Sequence, residues 1–361
     1  VTREEAKGVT AEMETGEGVR AGAARRRAEK RAERIAAGAE ELEQRLADLL
    51  RGGLAGAEQT GYAPWDEMAA RMVDAQAPGL ATRIRELGAL PASGEGWPER
   101  LLSECALLHL LARAYLRLDA LPAPLAETVR TRVGLTVETA ELLSGEERLI
   151  RDEWLVLAQR DTEEGRLTAR RVWLHGRATG HRALLLAHGA GGREPELTLP
   201  SGEVLDAELA YYPGAAPLRA ALGERHGQPR PGFRPPGGSV PDALSAYGQA
   251  LRADPWLDGW PFVLSEVVPV PPPGAGSESG AGQRPGPARA PATTRGRGTG
   301  WQLADAGADF AAPVAPGTSE AALWKLLALS GEGPLTVFGE VGHRGFAPHT
   351  AWHEERAVPL L

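Results

Sequence analysis

The chain carries one cysteine, Cys105, in 361 residues. That single thiol excludes an intrachain disulfide and every zinc site needing two or more thiolates of this chain, and it points to a reducing compartment. Lysine is almost as scarce: Lys7, Lys30 and Lys325 are the three lysines among 40 basic residues, a preference that reads as coding bias from GC-rich DNA. No apolar run approaches the roughly 18 residues of a membrane span. The opening residues, with Glu4, Glu5, Glu12 and Glu14, lack the apolar stretch of a secretory signal, so a cytoplasmic protein without membrane contact is expected. Also missing are a Walker loop and a Gly-x-Gly-x-x-Gly set between the strand and helix of a repeating βαβ unit.

What is present suffices for a folded protein. Hydrophobic residues make up 42% of the chain, enough for a real core, and the length suits two domains or one large composite one. A formal net charge of -8 argues against bulk attraction to nucleic acid or an anionic membrane, although it averages over segments of opposite character. The texture changes near Leu149. Ala/Leu/Arg-rich helical sequence gives way to Trp-punctuated, strand-like sequence broken by Gly and Pro.

The first half reads as helices. Residues 1–22 hold little to bury and are expected to form a disordered lead-in. From Ala23 a stripe of Ala28, Ala32, Ile35, Ala39, Leu42, Leu46 and Leu49 repeats at spacings of four and three until Gly52-Gly53, a helix expected to pack within its own domain. Its first turns carry Arg25, Arg26, Arg27, Lys30, Arg31 and Arg34 and its later ones Glu40, Glu41, Glu43 and Asp48, a polarity that opposes the helix macrodipole. The basic stretch is therefore either a phosphate-contacting arm or a solvated helical face. Pro64-Trp65-Asp66-Glu67 opens a second helix with Trp65, Met68, Met72 and Val73 on one face. Ala77-Pro78-Gly79 breaks it, and Leu80, Ile84 and Leu87 resume it. Pro98 begins the most apolar helix, through Leu101, Cys105, Leu108, Leu111 and Tyr115. Cys105 and His109 lie one turn apart on it, but two residues do not make a metal site, and a buried thiol beside a tolerated histidine is expected. Shorter helices follow at residues 125–133 and 137–143.

From Glu153 the period is that of strands. Residues 154–158 and 167–174 flank a turn signal at Asp161 to Gly165, residues 182–187 are a further strand, and residues 204–212 alternate cleanly, with Leu205, Ala207, Leu209 and Tyr211 on one face. Helices are expected at residues 216–222 and along Val240, Leu244, Tyr247 and Leu251, and strands at residues 262–270 and 335–341. Trp324-Lys325-Leu326-Leu327-Ala328 echoes Trp154-Leu155-Val156-Leu157-Ala158 and suggests a second, related hairpin. Residues 271–300 are low in complexity and carry Arg284, Arg289, Arg295 and Arg297, which reads as a flexible, disordered insertion and not as an RNA-touching segment.

Two stretches hint at catalysis or metal binding without completing a site. Leu184 to Gly192, an apolar strand ending His188-Gly189-Ala190-Gly191-Gly192, resembles the loop that supplies oxyanion-hole amides in α/β-hydrolases. That fold also requires a Gly-x-Ser-x-Gly elbow. Ser277 and Ser279 sit at the wrong spacing in the low-complexity stretch, and Ser265 and Ser330 lack the flanking glycines. His343, His349 and His353, with Glu354 and Glu355, are near in sequence, yet Ala357 stands where a metalloprotease motif starting at His353-Glu354 would place its second histidine. A surface strand with scattered histidines is expected.

Five blocks of sequence, residues 65–81, 97–102, 170–174, 211–219 and 253–257, resemble the region C-terminal to the zinc finger in actinobacterial SWIM zinc finger family proteins, a likeness running from about Arg25 to the C-terminus. That resemblance implies zinc in a Cys-x-Cys and Cys-x-His finger upstream and protein or nucleic-acid contact for such a protein. This chain has no such cysteines and is expected to be either a fragment or a form without the finger, so no metal ligand and no cofactor is carried over. The expected fold is α+β: a helical domain at residues 23–150, then a mainly antiparallel β-rich domain with short helices at residues 151–361. The expected function is a non-enzymatic interaction or scaffold module with a protein partner. The alternatives are nucleic-acid binding through residues 25–34 and a divergent α/β-hydrolase-like enzyme using the His188 loop.

Overall fold

Periodic apolar residues and proline-led first turns set the helices. The computed structural model describes residues 3–54, 56–57, 61–145, 149–164, 167–190, 193–273, 300–307 and 310–360, without the side chains of 3–21, 24, 164, 190 and 332. The chain divides into two compact units, Val1–Thr136 and Val137–Leu361.

The first unit contains α1 (Arg3–Gly52), α2 (Ala63–Asp74), α3 (Pro78–Ala89), α4 (Trp97–Tyr115) and α5 (Ala123–Val133). Helix α1 begins well before Ala23, where a disordered lead-in was expected; Ala, Glu, Lys and Met favour helix locally even where little is available to bury. Its stripe becomes buried only from Ile35, through Ala39, Leu42 and Leu46, whereas Ala28 and Ala32 are exposed. On α2 the expected face holds for Trp65, Met68 and Met72 but not for Val73, which points to solvent.

Three helices meet at one glycine. Gly134 ends α5 with a φ of 112°, and the Gly134 and Leu135 amides return to the Arg130 carbonyl at 3.2 and 2.8 Å, closing the helix in the left-handed conformation glycine permits. Pro78 of α3 packs on Gly134, and Arg31 of α1 donates from Nη2 to the Gly134 carbonyl at 3.3 Å.

The second unit opens with α6 (Thr139–Leu143), so the division falls at Thr136/Val137 and not at 150. Leu142 of α6 is buried against Ala210, Tyr212 and Ala221, and Thr139 shares a 2.8 Å hydroxyl hydrogen bond with Tyr212. Then come β1 (Leu149–Glu164), β2 (Leu167–Gly176), β3 (Arg182–Ala190), β4 (Glu203–Tyr211), β5 (Ala220–Arg225), β6 (Arg230–Pro231), α7 (Val240–Ala253), β7 (Gly259–Val270), β8 (Gln302–Asp305), β9 (Ala311–Pro313), α8 (Glu320–Leu329), β10 (Leu335–Gly342), β11 (Gly345–His353) and β12 (Arg356–Pro359). One sheet has the order β3-β2-β1-β4-β5 with β6 beside β4, the other β12-β11-β10-β7-β8-β9, and their ladders are antiparallel. This is the α+β architecture expected. The low-complexity stretch, with its arginines, Ser277 and Ser279, falls at 274–299, outside the described residues.

The first sheet curls. The Leu184 amide of β3 donates to the Leu218 carbonyl at 2.8 Å, and Leu184 bridges Arg219 in parallel, bringing the two ends of the sheet together. Inside the curl lie Trp154, Val156, Val172, Leu174, Leu205 and Leu209, with the Trp154 indole N–H donating to the Ala207 carbonyl at 3.0 Å. The other face, through Leu155, Leu157, Trp173 and Val204, meets Val263, Phe338 and Trp352 of the second sheet. Helices α7 and α8 cover the far face of the second sheet.

Two elements differ from expectation. Residues 216–222 are not helical: Pro213 and Pro217 disfavour a helix, and the carbonyls of Leu218 and Arg219 accept from Leu184 and Tyr212 in strand-like pairing. The Trp324 pentad is helix α8. Ser319 caps it by accepting from the Ala322 amide at 3.2 Å, and Ala322, Leu323 and Leu326 are buried at helical spacing. Trp324 stays 40% exposed where Trp154 is fully buried, so the two pentads share letters and not structure.

A buried arginine, paired with an exposed carboxylate, fastens a strap over the curl. Arg170 of β2, 5% exposed, donates from Nε and Nη2 to Asp161 at 2.8 and 2.7 Å, and from Nη1 to the Leu197 carbonyl at 3.1 Å and the Thr198 hydroxyl at 2.7 Å. Leu197 and Leu199 of that segment pack on the interior cluster. The Arg170 hydrogen bonds hold the Asp161 carboxyl below its ordinary value against the opposing effect of burial. The pair's contribution to stability is therefore present above the unfolded carboxylate pKa and is lost as pH falls through the depressed one. Arg170→Gln is expected to destabilise the chain by about 2–3 kcal/mol in urea unfolding, because charged hydrogen bonds are lost and buried carbonyls orphaned. Amides of residues 197–199 should exchange faster in the variant, and unchanged exchange would contradict the strap.

Candidate functional site

The basic helix is not uniform. Arg25, Arg26, Arg27, Lys30 and Arg34 are exposed, with Arg25 Nε paired to Glu29 at 3.0 Å. Arg31 is part-buried and spent on the end of α5 through Gly134. Five of the six residues thus lie on a solvated face, and the sixth fastens helices.

Cys105 is buried, and desolvation, then the nearby Glu104 charge, pushes its thiol up to about 11. His109 does not join it. Its Nδ1 lies 3.5 Å from Glu43, which also meets Arg113 Nε at 3.5 Å, an ion-pair cluster tying α1 to α4. Among the described residues no three His, Cys, Asp or Glu side chains gather as metal ligands, so the zinc implied by the sequence resemblance has no fitting donor set among them.

The three C-terminal histidines are separated by the strand that carries them. His343 lies in the turn before β11 and His353 ends that strand, on the order of 30 Å apart at about 3.3 Å per residue. His349 is not on the surface as expected: it is 2% exposed, its Nε2 lies 3.3 Å from Glu340 Oε2, and its ring stacks on Trp173 with centroids 5.0 Å apart. It is the extra residue at the bulge where β11 meets β10, between Pro348 opposite Gly339 and Thr350 opposite Phe338, which breaks the alternation of the strand. Glu354 and Glu355 form the exposed β11–β12 turn at φ of 46° and 68°.

The His188 loop sits in the wrong kind of sheet for its resemblance. His188, Gly189 and Ala190 belong to β3 and pair with Ala169, Thr168 and Leu167 of β2 in an antiparallel hairpin, whereas the hydrolase loop follows a strand of a parallel sheet. Gly191 and Gly192 lie outside the described residues.

One cavity of the second unit is marked by no motif in the sequence. At one mouth of the curled sheet, Ile150 of β1, the β2–β3 turn at Gly180-His181, Arg182, Tyr211 of β4 and Trp260 of β7 enclose an open cavity of about 480 Å³. Small-molecule sites fall in this size range and occur at barrel mouths. Tyr211 donates its hydroxyl to the Arg182 carbonyl at 2.9 Å and meets His181 edge to face with centroids 6.2 Å apart. Burial, then the Asp152 charge, holds the Tyr211 phenol protonated well above its ordinary value. Arg182 donates from Nη1 to the Pro261 carbonyl at 2.8 Å, and its guanidinium carbon lies 5.0 Å from the Phe262 ring centre. Burial, then the Arg182 charge, lowers His175 on the neighbouring strand, with Asp152 opposing. Asp152 itself is spent within the turn, accepting from the Glu153, Ala178 and Thr179 amides and the Thr179 hydroxyl. A second cavity, of about 420 Å³, opens beside His349, Asp161 and Ser319, but each of those groups already has a partner in the chain.

The helical unit has a known counterpart. Residues 30–133 match the SWIM-associated four-helix bundle domain. The match runs from the basic turn of α1 to the last residue of α5, and so lies wholly within the helical unit. No curated protein and no solved structure matches the chain. The match covers the later part of α1 and α2 to α5 and leaves the β-rich unit outside it. No helix among the described residues is long and apolar enough to cross a membrane.

Cys105 in the bundle core offers a direct check of its burial. Its raised thiol should react with iodoacetamide at pH 8 at least about tenfold more slowly in the folded chain than in urea, since the thiolate is the nucleophile. Equal rates would place the thiol at the surface.

Proposed function

We propose that the chain is a non-enzymatic interaction module of a SWIM-associated protein, contacting a protein partner through its helical bundle. The observation that carries this reading is the match of residues 30–133 to a SWIM-associated four-helix bundle domain. Helix α4 adds to it. Leu101, Cys105, Leu108 and Leu111 fill the core, while Leu102 and Leu110, two turns apart, are 48% and 44% exposed. An exposed apolar pair on this core helix of the bundle suits a protein contact better than a phosphate backbone.

Nucleic-acid binding through Arg25, Arg26, Arg27, Lys30 and Arg34 is the second reading, favoured by their exposure on one end of α1. Arg31 drops out of it, being held at Gly134. The hydrolase alternative has the antiparallel setting of β3 against it. Zinc stays with the upstream finger of the resembling proteins and is assigned to nothing in this chain.

Affinity capture with the full chain, after nuclease treatment and at two salt concentrations, separates the two readings. Leu102→Asp combined with Leu110→Asp is expected to weaken a nuclease-resistant, salt-resistant protein partner by about tenfold or more, the scale of interface hot spots. The combination Arg25→Gln, Arg26→Gln, Arg27→Gln and Arg34→Gln should leave that partner bound. Recovery dominated by nucleic acid, lost at higher salt and abolished by the arginine variant, would overturn the proposal in favour of the basic helix.

A further inference from the structure

The cavity at the mouth of the curled sheet is lined by Arg182, a cation with no ion-pair partner among the described residues. Arg182 is the first residue of β3, fixed from behind by the Tyr211 hydroxyl on its carbonyl and in front by the Pro261 carbonyl on Nη1. No carboxylate of the described residues forms an ion pair with it, in contrast to Arg170, which has Asp161, and Arg151, which has Asp206. The acid that acts on its neighbours, Asp152, accepts from four donors, three from the β2–β3 turn and one from the next residue of β1. A guanidinium stays charged even when desolvated, and a buried charge is ordinarily paired. At this mouth its partners are the Pro261 carbonyl, met by a single N–H of Nη1, and the Phe262 ring.

The walls beside it are apolar and flat. Ile150, Tyr211 and Trp260 line the cavity and His181 closes one side against Tyr211; no lining residue is acidic. A lining residue that carries a fixed, planar cation, beside apolar ring walls, fits an oxyanion attached to an aromatic body, with the oxyanion on the guanidinium donors that Pro261 leaves over and the ring against Tyr211 and Trp260.

We infer that this mouth is a binding site for a small aromatic oxyanion, a ring bearing a carboxylate or a phosphate, with Arg182 as the anion-binding residue. The site lies in the β-rich unit and is independent of the partner contact proposed for the helical bundle. Neither the family match nor the bundle's surface bears on it, so each proposal stands or falls alone.

The test is calorimetric titration of the full chain with indole-3-acetate, benzoate and phenyl phosphate, with benzyl alcohol as the neutral control. Saturable binding of the carboxylates, of phenyl phosphate or of both is expected, at least about tenfold tighter than benzyl alcohol; which anion binds more tightly distinguishes carboxylate from phosphate as the natural head group. Arg182→Gln should weaken the anion by about tenfold or more while leaving the circular dichroism spectrum unchanged, and Arg182→Lys should recover only part of the loss because it lacks the fork. Arg219→Gln, which removes a guanidinium stacked on Tyr212 outside the cavity, should bind as the parent does. Should Arg182→Gln fail to fold, Ile150→Trp replaces it: filling the mouth must abolish binding. The inference is overturned if no anion binds the folded parent, if benzyl alcohol binds equally well, or if a folded Arg182→Gln or Ile150→Trp binds the anions unchanged.

Discussion

The β-rich unit depends on one strand being buried on both faces. Along β1, Trp154 and Val156 belong to one apolar cluster and Leu155 and Leu157 to another, all at 1% exposure or less. A strand of an antiparallel sheet commonly has one face packed and one wet; this central strand must be covered on both. The sheet meets the first demand by curling until β3 returns to Leu218 and Arg219, and the second by packing its outer face on the β7, β10 and β11 layer. A bulge between Val156 and Ala158 adjusts the register where the strand passes from one environment to the next.

The curl has a functional consequence. A closing sheet leaves a mouth wherever its strands end unequally, and the ends of β1 and β4 and the β2–β3 turn leave a space that Trp260 of the second sheet borders without filling. Arg182 and Tyr211 fasten each other at that rim, the hydroxyl on the carbonyl, while the guanidinium lies against Pro261 and the Phe262 ring without a carboxylate among the described residues. Arg170 is treated in the opposite way. It is equally part of the curled sheet, but Asp161 and the strap at Leu197 and Thr198 consume its donors, and it serves stability alone.

Much of this fold was legible in the amino-acid sequence where a single local pattern decides the outcome. The stripe from Ile35 to Leu46, the break at Ala77-Pro78-Gly79 and the alternation from Val204 to Tyr211 each became the expected element, because burial on one face repeats at a period the sequence displays. Where long-range pairing decides, the pattern misleads. Residues 218–222 have helical composition but are claimed by the edge of β3 and by β4, and the Trp324 pentad reads as a strand until the Ser319 cap makes it a helix. The mouth cavity was invisible for the same reason: Ile150, Arg182, Tyr211 and Trp260 are distant in the chain, and only the curl and the second sheet bring them together. A lone arginine opening an otherwise apolar strand was the one signal in the sequence. His349 was misplaced because it sits at a bulge of β11, which interrupts strand alternation at a position no local pattern marks.

The two units divide the work that we propose for the chain: a helical bundle of SWIM-associated type for contact with a protein, and a curled sheet whose mouth takes a small anion. Contact by the bundle is the central claim, and site-specific photo-crosslinking in the source cells tests it most directly. A photo-reactive phenylalanine in place of Leu102 should trap a discrete protein partner, and the same residue in place of Arg26 should trap no nucleic acid. Crosslinks to nucleic acid at position 26 with none to protein at position 102 would contradict that claim.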